Sequence, residues 1–217
     1  MQTKQKPKVA IIGLGNLGKV VATNLIRGNR EIILADANFD KAKELSNSLG
    51  EKAIPMNVSE AVKSGDILIL AIYFSSIKEF LSEHKSILKG KILIDPSNPI
   101  TPHDNGGFIK TIDENESSGT IISSLVPKDV KLVKAFSTLG VNSLETASHQ
   151  NPPFVQFYAN DDQSVDHKVE ELIRDNGFEP LRIGDIVQSI RMEVFGDLNE
   201  FGTIGKPVCL EEAISRI

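Results

Sequence analysis

From residue 8 to about residue 125, short β-branched apolar runs alternate with segments whose apolar side chains recur at helical spacing. That alternation is the pattern of βαβ units built on a parallel sheet. Strands are predicted over residues 9–12, 32–35, 53–54, 67–72 and 92–94, and helices over 16–27, 40–49, 59–63 and 76–88. In the first helix Leu17, Val20, Val21, Asn24 and Leu25 share one face, and Gly50 stops the second. The run 67–72 is apolar throughout, as a central strand covered on both faces requires.

A long loop follows over residues 95–117, with three prolines and the Gly106-Gly107 pair; loops of this length in compact folds are often functional. Beyond it the pattern predicts a helix over 118–125 capped by Ser117 or Ser118, then a strand over 131–136, a turn and a short helix. Strands over 155–159 and 180–183 flank a helix over 162–175, and the chain from residue 192 onward reads as helical and glycine-rich. No repeat or low-complexity linker interrupts this order. The expected fold class is therefore α/β: a doubly wound, mostly parallel sheet with a C-terminal helical extension from about residue 185. A tail over residues 1–7 is expected to precede a single domain over 8–217.

Chemistry enters between the first strand and the first helix. Gly13-Leu14-Gly15-Asn16-Leu17-Gly18 is a G-x-G-x-x-G string that directly follows a predicted strand and opens a predicted helix, the context that makes it a dinucleotide fingerprint of the Rossmann type. Gly13 permits the sharp turn, Gly15 lets backbone approach a pyrophosphate, and Gly18 lets helix pack closely on strand. The helix N-terminus then offers unpaired N–H groups and the positive end of its dipole to two phosphates. Asp36 ends the second strand, eighteen positions beyond Gly18, where an acid bonds the adenosine ribose hydroxyls and repels a 2′-phosphate. That reading predicts NAD(H) in preference to NADP(H), with Asn38 and Lys41 as the nearby groups that soften the preference.

Composition narrows the partners. The 217 residues carry a formal net charge of −5, with two tyrosines and no tryptophan, so neither a basic face nor a stacking platform for nucleic acid is expected. No run approaches the roughly 18 apolar residues of a membrane span. Lys4, Lys6 and Lys8 ahead of residues 9–12 resemble a signal peptide only superficially, because the apolar run breaks at Gly13. Cys209 is the only cysteine, which excludes an intrachain disulfide and fits a reducing compartment; it reads as a small buried apolar residue, and the protein as cytoplasmic. A small-molecule redox acceptor is the expected partner, and the glycine-rich C-terminal region could build a homodimer.

Three further segments fall where parallel strands deliver their C-terminal ends, the edge at which open α/β sheets bind ligands. Ala71 and Tyr73 would border the cofactor, with Tyr73 or Phe74 over adenine or ribose. In the stiff turn Asp95-Pro96-Ser97-Asn98-Pro99, Asn98 offers an amide suited to a ribose or the nicotinamide carboxamide. In Lys134-Ala135-Phe136-Ser137-Thr138-Leu139, Ala135 would line the cofactor, Ser137 and Thr138 would face the nicotinamide or its acceptor, and Lys134 is either a charge anchor or solvated. The four histidines, His84, His103, His149 and His167, show no paired spacing for a metal or a catalytic dyad, and each reads as a surface residue.

With these segments in hand, the sequence resembles the NADP-dependent reductases of the deazaflavin coenzyme, a broad family of Rossmann oxidoreductases. The resemblance covers residues 9–213. It rests on the glycine string, on a D-x-x-N-P turn at 95–99, on a K-A-F-N-T-like stretch at 134–139, and on a G-D-L-H-x-x-G-like element at 196–202. It implies hydride transfer between nicotinamide C4 and an acceptor held between the main sheet and the C-terminal part, with Ser137, Thr138 and Asn199 on the acceptor side. The chain departs from the family in four places. Asp36-Ala37 stands where phosphate-selecting members have Ser-Arg, Tyr73 replaces a proline, Ser137 an asparagine, and Asn199 a histidine. The expected function is thus an NAD(P)-dependent oxidoreductase acting on a planar, flavin-like acceptor. The alternatives are a carbonyl or imine reductase of a small metabolite and a non-catalytic redox sensor.

Overall fold

Four-residue apolar runs buried at every position have no solvent face, so they settle in the interior of a sheet covered on both sides. In the computed structural model, which describes residues 6–217, three such runs form its centre: β1 (Val9–Ile12), β2 (Ile32–Ala35) and, after the short edge strand β3 (Ala53–Pro55), β4 (Ile67–Leu70). Of the expected N-terminal tail, residues 1–5 lie outside the described residues. The sheet continues through β5 (Ile92–Asp95) and, past a separate hairpin of β6 (Ile100–Pro102) and β7 (Phe108–Lys110), through β8 (Lys131–Ala135), β9 (Val155–Asn160) and β10 (Glu179–Arg182). Its order is β10-β9-β8-β5-β4-β1-β2-β3, parallel except where β9 runs antiparallel to β8. The chain reverses direction across the sheet between β1 and β4, which leaves a crevice at their C-terminal ends.

The helices are α1 (Asn16–Arg27), α2 (Phe39–Leu49), α3 (Val58–Ser64), α4 (Phe74–His84), α5 (Ser118–Leu125), α6 (Val141–Thr146), α7 (Asp166–Asp175), α8 (Ser189–Met192) and α9 (Leu210–Ile214). One face of the sheet packs on residues of α1, α2, α6 and α7, among them Val21, Leu25, Ala42, Leu144, Val169 and Leu172. The other packs on α3, α4 and α5 through residues such as Val62, Ile77, Leu81 and Ile122. A third apolar cluster joins the outer face of β9, at Val155, Phe157 and Ala159, to Met192, Leu198, Ile204, Val208 and Ala213 from the end of the chain. The doubly wound α/β class therefore holds.

Several local expectations do not. The run 67–72 leaves the sheet after Leu70, because the backbone at Ala71 must press against the glycine turn: a Cβ on Gly13 would lie 2.4 Å from the Ala71 carbonyl oxygen. The loop over 95–117 contains the β6–β7 hairpin, paired with Thr101 opposite Ile109. The helix expected over 162–175 starts with a 3₁₀ turn at Gln163–Val165 before α7. The C-terminal extension is helical only in α8 and α9. Between them Gly202 lies so close to Gly196 that a Cβ would be 1.9 Å from the Gly196 carbonyl oxygen, and turn bonds such as Leu198 N–H to the Arg191 carbonyl replace a helical ladder. Cys209 is half-buried and unpaired rather than a core residue, since its backbone bridges to Phe154 at the sheet's rim.

At the start of the 3₁₀ turn Asp162 caps Ser164 and pairs with Lys131 of β8 at 2.6 Å. The Lys131 bond, followed by those from Ser164, holds the Asp162 carboxyl well below the usual carboxylate range. A depressed carboxyl stabilises the fold above its unfolded value of about 3.9 and loses that contribution as pH falls below it. Asp162→Asn should therefore be less stable than wild type in urea titrations at pH 6, and the difference should shrink as the pH is lowered toward 3.

Candidate functional site

Gly13 leaves β1 at φ +95°, a left-handed conformation that side-chain-bearing residues resist, and its N–H donates to the Ala35 carbonyl at 2.8 Å. The next N–H, from Leu14, reaches Asp36 Oδ2 at 2.8 Å, while the Leu14 side chain is buried in the core. Gly18, in the first turn of α1, sits where a Cβ would meet the Gly13 carbonyl oxygen at 2.0 Å. Both glycines are thus demanded by the protein's own packing.

Gly15 is different. It caps α1 with φ −72°, a value open to any residue, and nothing lies within 4 Å of where its Cβ would be. No side chain caps α1 and no acid stands in its first turn; Asn16 is exposed beside Gly15, and Leu17 is half-buried. The helix start therefore keeps unpaired N–H groups facing an open space at the β1–β4 crevice, an arrangement that attracts an anion. Ala71, half-buried, and Tyr73, 84% exposed at the start of α4, border that crevice from β4.

Asp36 is held from two directions: Oδ2 takes the Leu14 N–H and Oδ1 the Asn38 N–H at 2.9 Å, with Lys41 Nζ 3.9 Å from Oδ1. The carboxylate closes the glycine turn onto the end of β2, and the exposed Lys41 ammonium offsets its charge toward solvent.

At the ends of β5 and β8 the polar candidates are spent on one another. Asn98 donates to the Ser137 carbonyl at 3.2 Å and accepts from Val194 N–H at 2.7 Å. Asn199, 1% exposed, donates to the carbonyls of Ser137 and Met192, both at 2.9 Å, and accepts from Phe201 N–H. Ser137 Oγ reaches the Met192 carbonyl at 3.4 Å and Thr138 Oγ1 bonds Gln156 Oε1 at 3.3 Å; both residues are buried, as is Ala135 in the core. The side chains of Ser137 and Asn199 thus join the end of β8 to the C-terminal segment, and that of Thr138 joins it to β9, rather than facing an open acceptor site. Lys134, also buried, donates to Asp95 Oδ2 at 2.8 Å, to Ser118 Oγ at 2.6 Å and to the Ser97 carbonyl, which uses all three of its protons.

Sequence reasoning missed the fourth member of that cluster. Glu193 lies 3.4 Å from Lys134 and accepts from Ser118 Oγ at 2.8 Å and from the N–H groups of Ser118 and Gly119, at 3.0 and 3.2 Å. One ammonium faces two carboxylates, and the N-terminus of α5 absorbs the surplus negative charge. A lysine and an aspartate at the ends of adjacent strands were readable as a pair; a glutamate from a turn 59 residues past Lys134 was not.

Among the histidines, His84 corrects the expectation of a surface residue. It is 4% exposed, stacked on Phe80 at 4.5 Å with Nδ1 at the Phe80 carbonyl, because α4 turns that position into the core. His149 is half-buried against the Asn24 carbonyl, and His103 lies in the β6–β7 turn, its Nδ1 accepting from Asn105 N–H. Among the described residues no helix is long and apolar enough to cross a membrane.

The sheet order, the switch point between β1 and β4 and the glycine turn there define a Rossmann-type protein with the fold of dehydrogenases and reductases. Residues 8–99 match the family described as NADP oxidoreductase coenzyme F420-dependent. Across 88% of this chain and 90% of its own, the F420-dependent NADP reductase of Methanocaldococcus jannaschii is 24% identical. The metalloreductase STEAP3 of Rattus norvegicus is 26% identical over 88% of this chain, which spans 36% of that protein's length. A solved structure of a hypothetical protein from Sinorhizobium meliloti superposes with a TM-score of 0.76 at 27% identity, covering 89% of this chain and 93% of that one. Over residues 8–99, less than half of its length, the chain is similar to this family of Rossmann oxidoreductases.

These relatives overturn the expected preference for NAD(H). The reductase matched along nearly its whole length is named for NADP, which points to NADP rather than NAD. The physical reason is visible at Asp36, whose two oxygens are engaged by backbone N–H groups and whose charge Lys41 offsets. A carboxylate serving the turn in this way does not act as the free ribose acceptor that the sequence pattern suggested.

Removing the Lys134 ammonium while leaving Asp95 and Glu193 buried strands two anions. Lys134→Met should cost about 3–5 kcal/mol in chemical denaturation. Lys134→Met combined with Glu193→Gln should cost less than the sum of the two single changes, as expected for residues in one network.

Proposed function

We propose that this protein is an oxidoreductase that binds NADP(H) at the β1–β4 crevice and serves hydride transfer to a planar, flavin-type acceptor. The observation that carries the reading is Gly15, whose bare Cα, ordinary φ and empty surroundings have no explanation in the protein's own packing. A diphosphate approaching the uncapped start of α1 supplies one. The family match over residues 8–99 and the NADP-dependent relative support the choice of ligand.

When bound, the dinucleotide supplies a hydride from nicotinamide C4, and the acceptor takes it up together with a proton from solvent. The chain's own residues bind and orient. The free backbone N–H groups at the start of α1, over residues 15–18, would hold the pyrophosphate, with Leu14, Asn16 and Leu17 setting the path of the turn. Lys41 is the cation for the 2′-phosphate, standing in the first turn of α2 beside the otherwise engaged Asp36. Ala71 and Tyr73 flank the adenosine half. Asn98 fixes the loop after β5, and Ala135, Ser137, Thr138 and Asn199 act from beneath as positioning residues for the nicotinamide and acceptor side. Hydride transfer between stacked rings depends mainly on such alignment.

Gly15→Ala is the decisive variant. Its thermal unfolding should stay close to wild type, since the added methyl meets nothing in the protein and the helix-cap penalty is at most about 1 kcal/mol. NADPH affinity, read by quenching or enhancement of nicotinamide fluorescence, should fall at least about tenfold; an unchanged affinity would remove the cradle from the mechanism. Lys41→Ala should weaken NADPH about tenfold, the worth of one charge-assisted bond, and leave NADH within about twofold. Equal losses for both nucleotides would exclude a phosphate contact.

A further inference from the structure

Among the described residues, four that bear a side chain hold a left-handed backbone, and three of them are accounted for. Asn29 and His149 belong to the residue types that enter this region most readily, and the ring of Phe136, at φ +60°, is buried in the core, where packing offsets the strain. Phe195 fits neither case. Its φ is +77°, its ring is 53% exposed, and it joins no core cluster. It holds the third position of the turn Glu193–Gly196, closed by the Gly196 N–H on the Glu193 carbonyl at 2.7 Å, where positive φ is met without strain by glycine. The turn is clamped on both sides: Glu193 by Lys134 and the N-terminus of α5, and the Val194 N–H by Asn98 Oδ1 at 2.7 Å. Strain that the surroundings enforce and the core does not need is characteristic of functional sites.

Asn98 places this turn at the end of β5. In the order β3-β2-β1-β4-β5-β8, the half with the glycine turn and Asp36 faces the adenosine side of a dinucleotide, and the half with β4, β5 and β8 faces its nicotinamide side. Charge at this edge is one-sided. Asp95 and Glu193 are answered by Lys134 and the start of α5, and Arg191 is bound to Asp197 at 2.8 Å. Glu200 has no such answer, since its Oε2 is buried without a hydrogen-bond partner. It belongs to the same compact segment as Phe195, folded so tightly that a Cβ on Gly202 would lie 3.0 Å from the Phe195 carbonyl carbon. An unpaired buried carboxylate oxygen favours a cation beside it, and so does the face of a phenyl ring.

We propose that Phe195 and Glu200 form an electron-rich wall against the nicotinamide ring and favour its oxidised, cationic form, so that the protein holds NADP⁺ more tightly than NADPH. When a hydride leaves C4 for the acceptor, both electrons of the broken C–H bond go with it, and the ring changes from neutral to a pyridinium cation. The acceptor is reduced and takes its proton from solvent. Groups that stabilise the pyridinium also stabilise the charge developing in the transition state, which makes bound NADPH a stronger hydride donor. This inference rests on the NADP(H) reading but is read out by comparing ligands, so that each can fail separately.

The test is a calorimetric titration of NADP⁺, NADPH and adenosine 2′,5′-bisphosphate, which carries the adenosine half alone, into the full chain of wild type, Phe195→Gly, Phe195→Tyr and Glu200→Gln. Wild type should bind NADP⁺ about threefold to fivefold more tightly than NADPH, the worth of one exposed cation–π contact. Phe195→Gly should abolish that difference, Phe195→Tyr should keep it, and Glu200→Gln should narrow it. Adenosine 2′,5′-bisphosphate should bind all four proteins within about twofold of one another. Phe195→Gly should melt no lower than wild type, because glycine relieves the left-handed strain and only an exposed ring is lost. The proposal is overturned if Phe195→Gly keeps the difference, lowers the melting temperature, weakens all three ligands alike, or changes the oligomeric state in light scattering, as a ring covered by a second copy would. Equal affinities of wild type for NADP⁺ and NADPH would overturn this inference alone. Binding of none of the three ligands would overturn the NADP(H) reading with it.

Discussion

A single buried ammonium holds together the part of this molecule where chemistry is expected. Lys134 at the end of β8 binds Asp95 at the end of β5, the Ser97 carbonyl in the turn that follows, and Ser118 at the start of α5, with Glu193 from the C-terminal segment completing the cluster. Four pieces of chain far apart in sequence converge on one charge. Burying it is expensive, and the cost is offset only because every proton of the lysine and the carboxylate oxygens find partners. Apolar residues of the same volume would pack as well, so the cluster adds little net stability while it is intact.

The loops fixed in this way carry the second polar tier. Asn98 and Asn199 both donate to the Ser137 carbonyl from opposite sides, and Val194 and Phe201 return bonds to the two asparagines. The D-x-x-N-P turn, the K-A-F stretch and the G-D-L element, read in the sequence as separate motifs, are one interlocked structure. Their polar side chains face each other, which accounts for their spacing without any ligand contact. The uncapped start of α1, open at one end of the crevice, lies outside that interlock.

The glycine string separates two kinds of constraint. Gly13 and Gly18 are required by backbone strain and by helix-to-strand contact, so they would be present in any protein that makes this turn. Gly15 meets no such requirement, and this difference is what turns a structural motif into a binding argument. Asp36 shows the opposite relation. Its position matched a ribose-binding acid, yet its oxygens close the turn on Leu14 and Asn38, and the relatives named for NADP agree with that engagement.

Read alone, the amino-acid order determined most strands and helices of the first two thirds, to the residue at β1, α1, β2 and α5, but not the β6–β7 hairpin. These elements are specified by periodicity and caps, which are local. It also determined the glycine turn, because a G-x-G-x-x-G string between a strand pattern and a helix pattern is a local signal, although what crowds Gly13 is the distant Ala71 carbonyl. Only the tertiary structure decided that Lys134 is an internal strut, that Glu193 joins it, that Asp36 serves the turn, and that residues 193–209 form turns in place of a helix. Each of these depends on a contact between residues distant along the chain, where burial and partner geometry outweigh local propensity and no spacing rule applies.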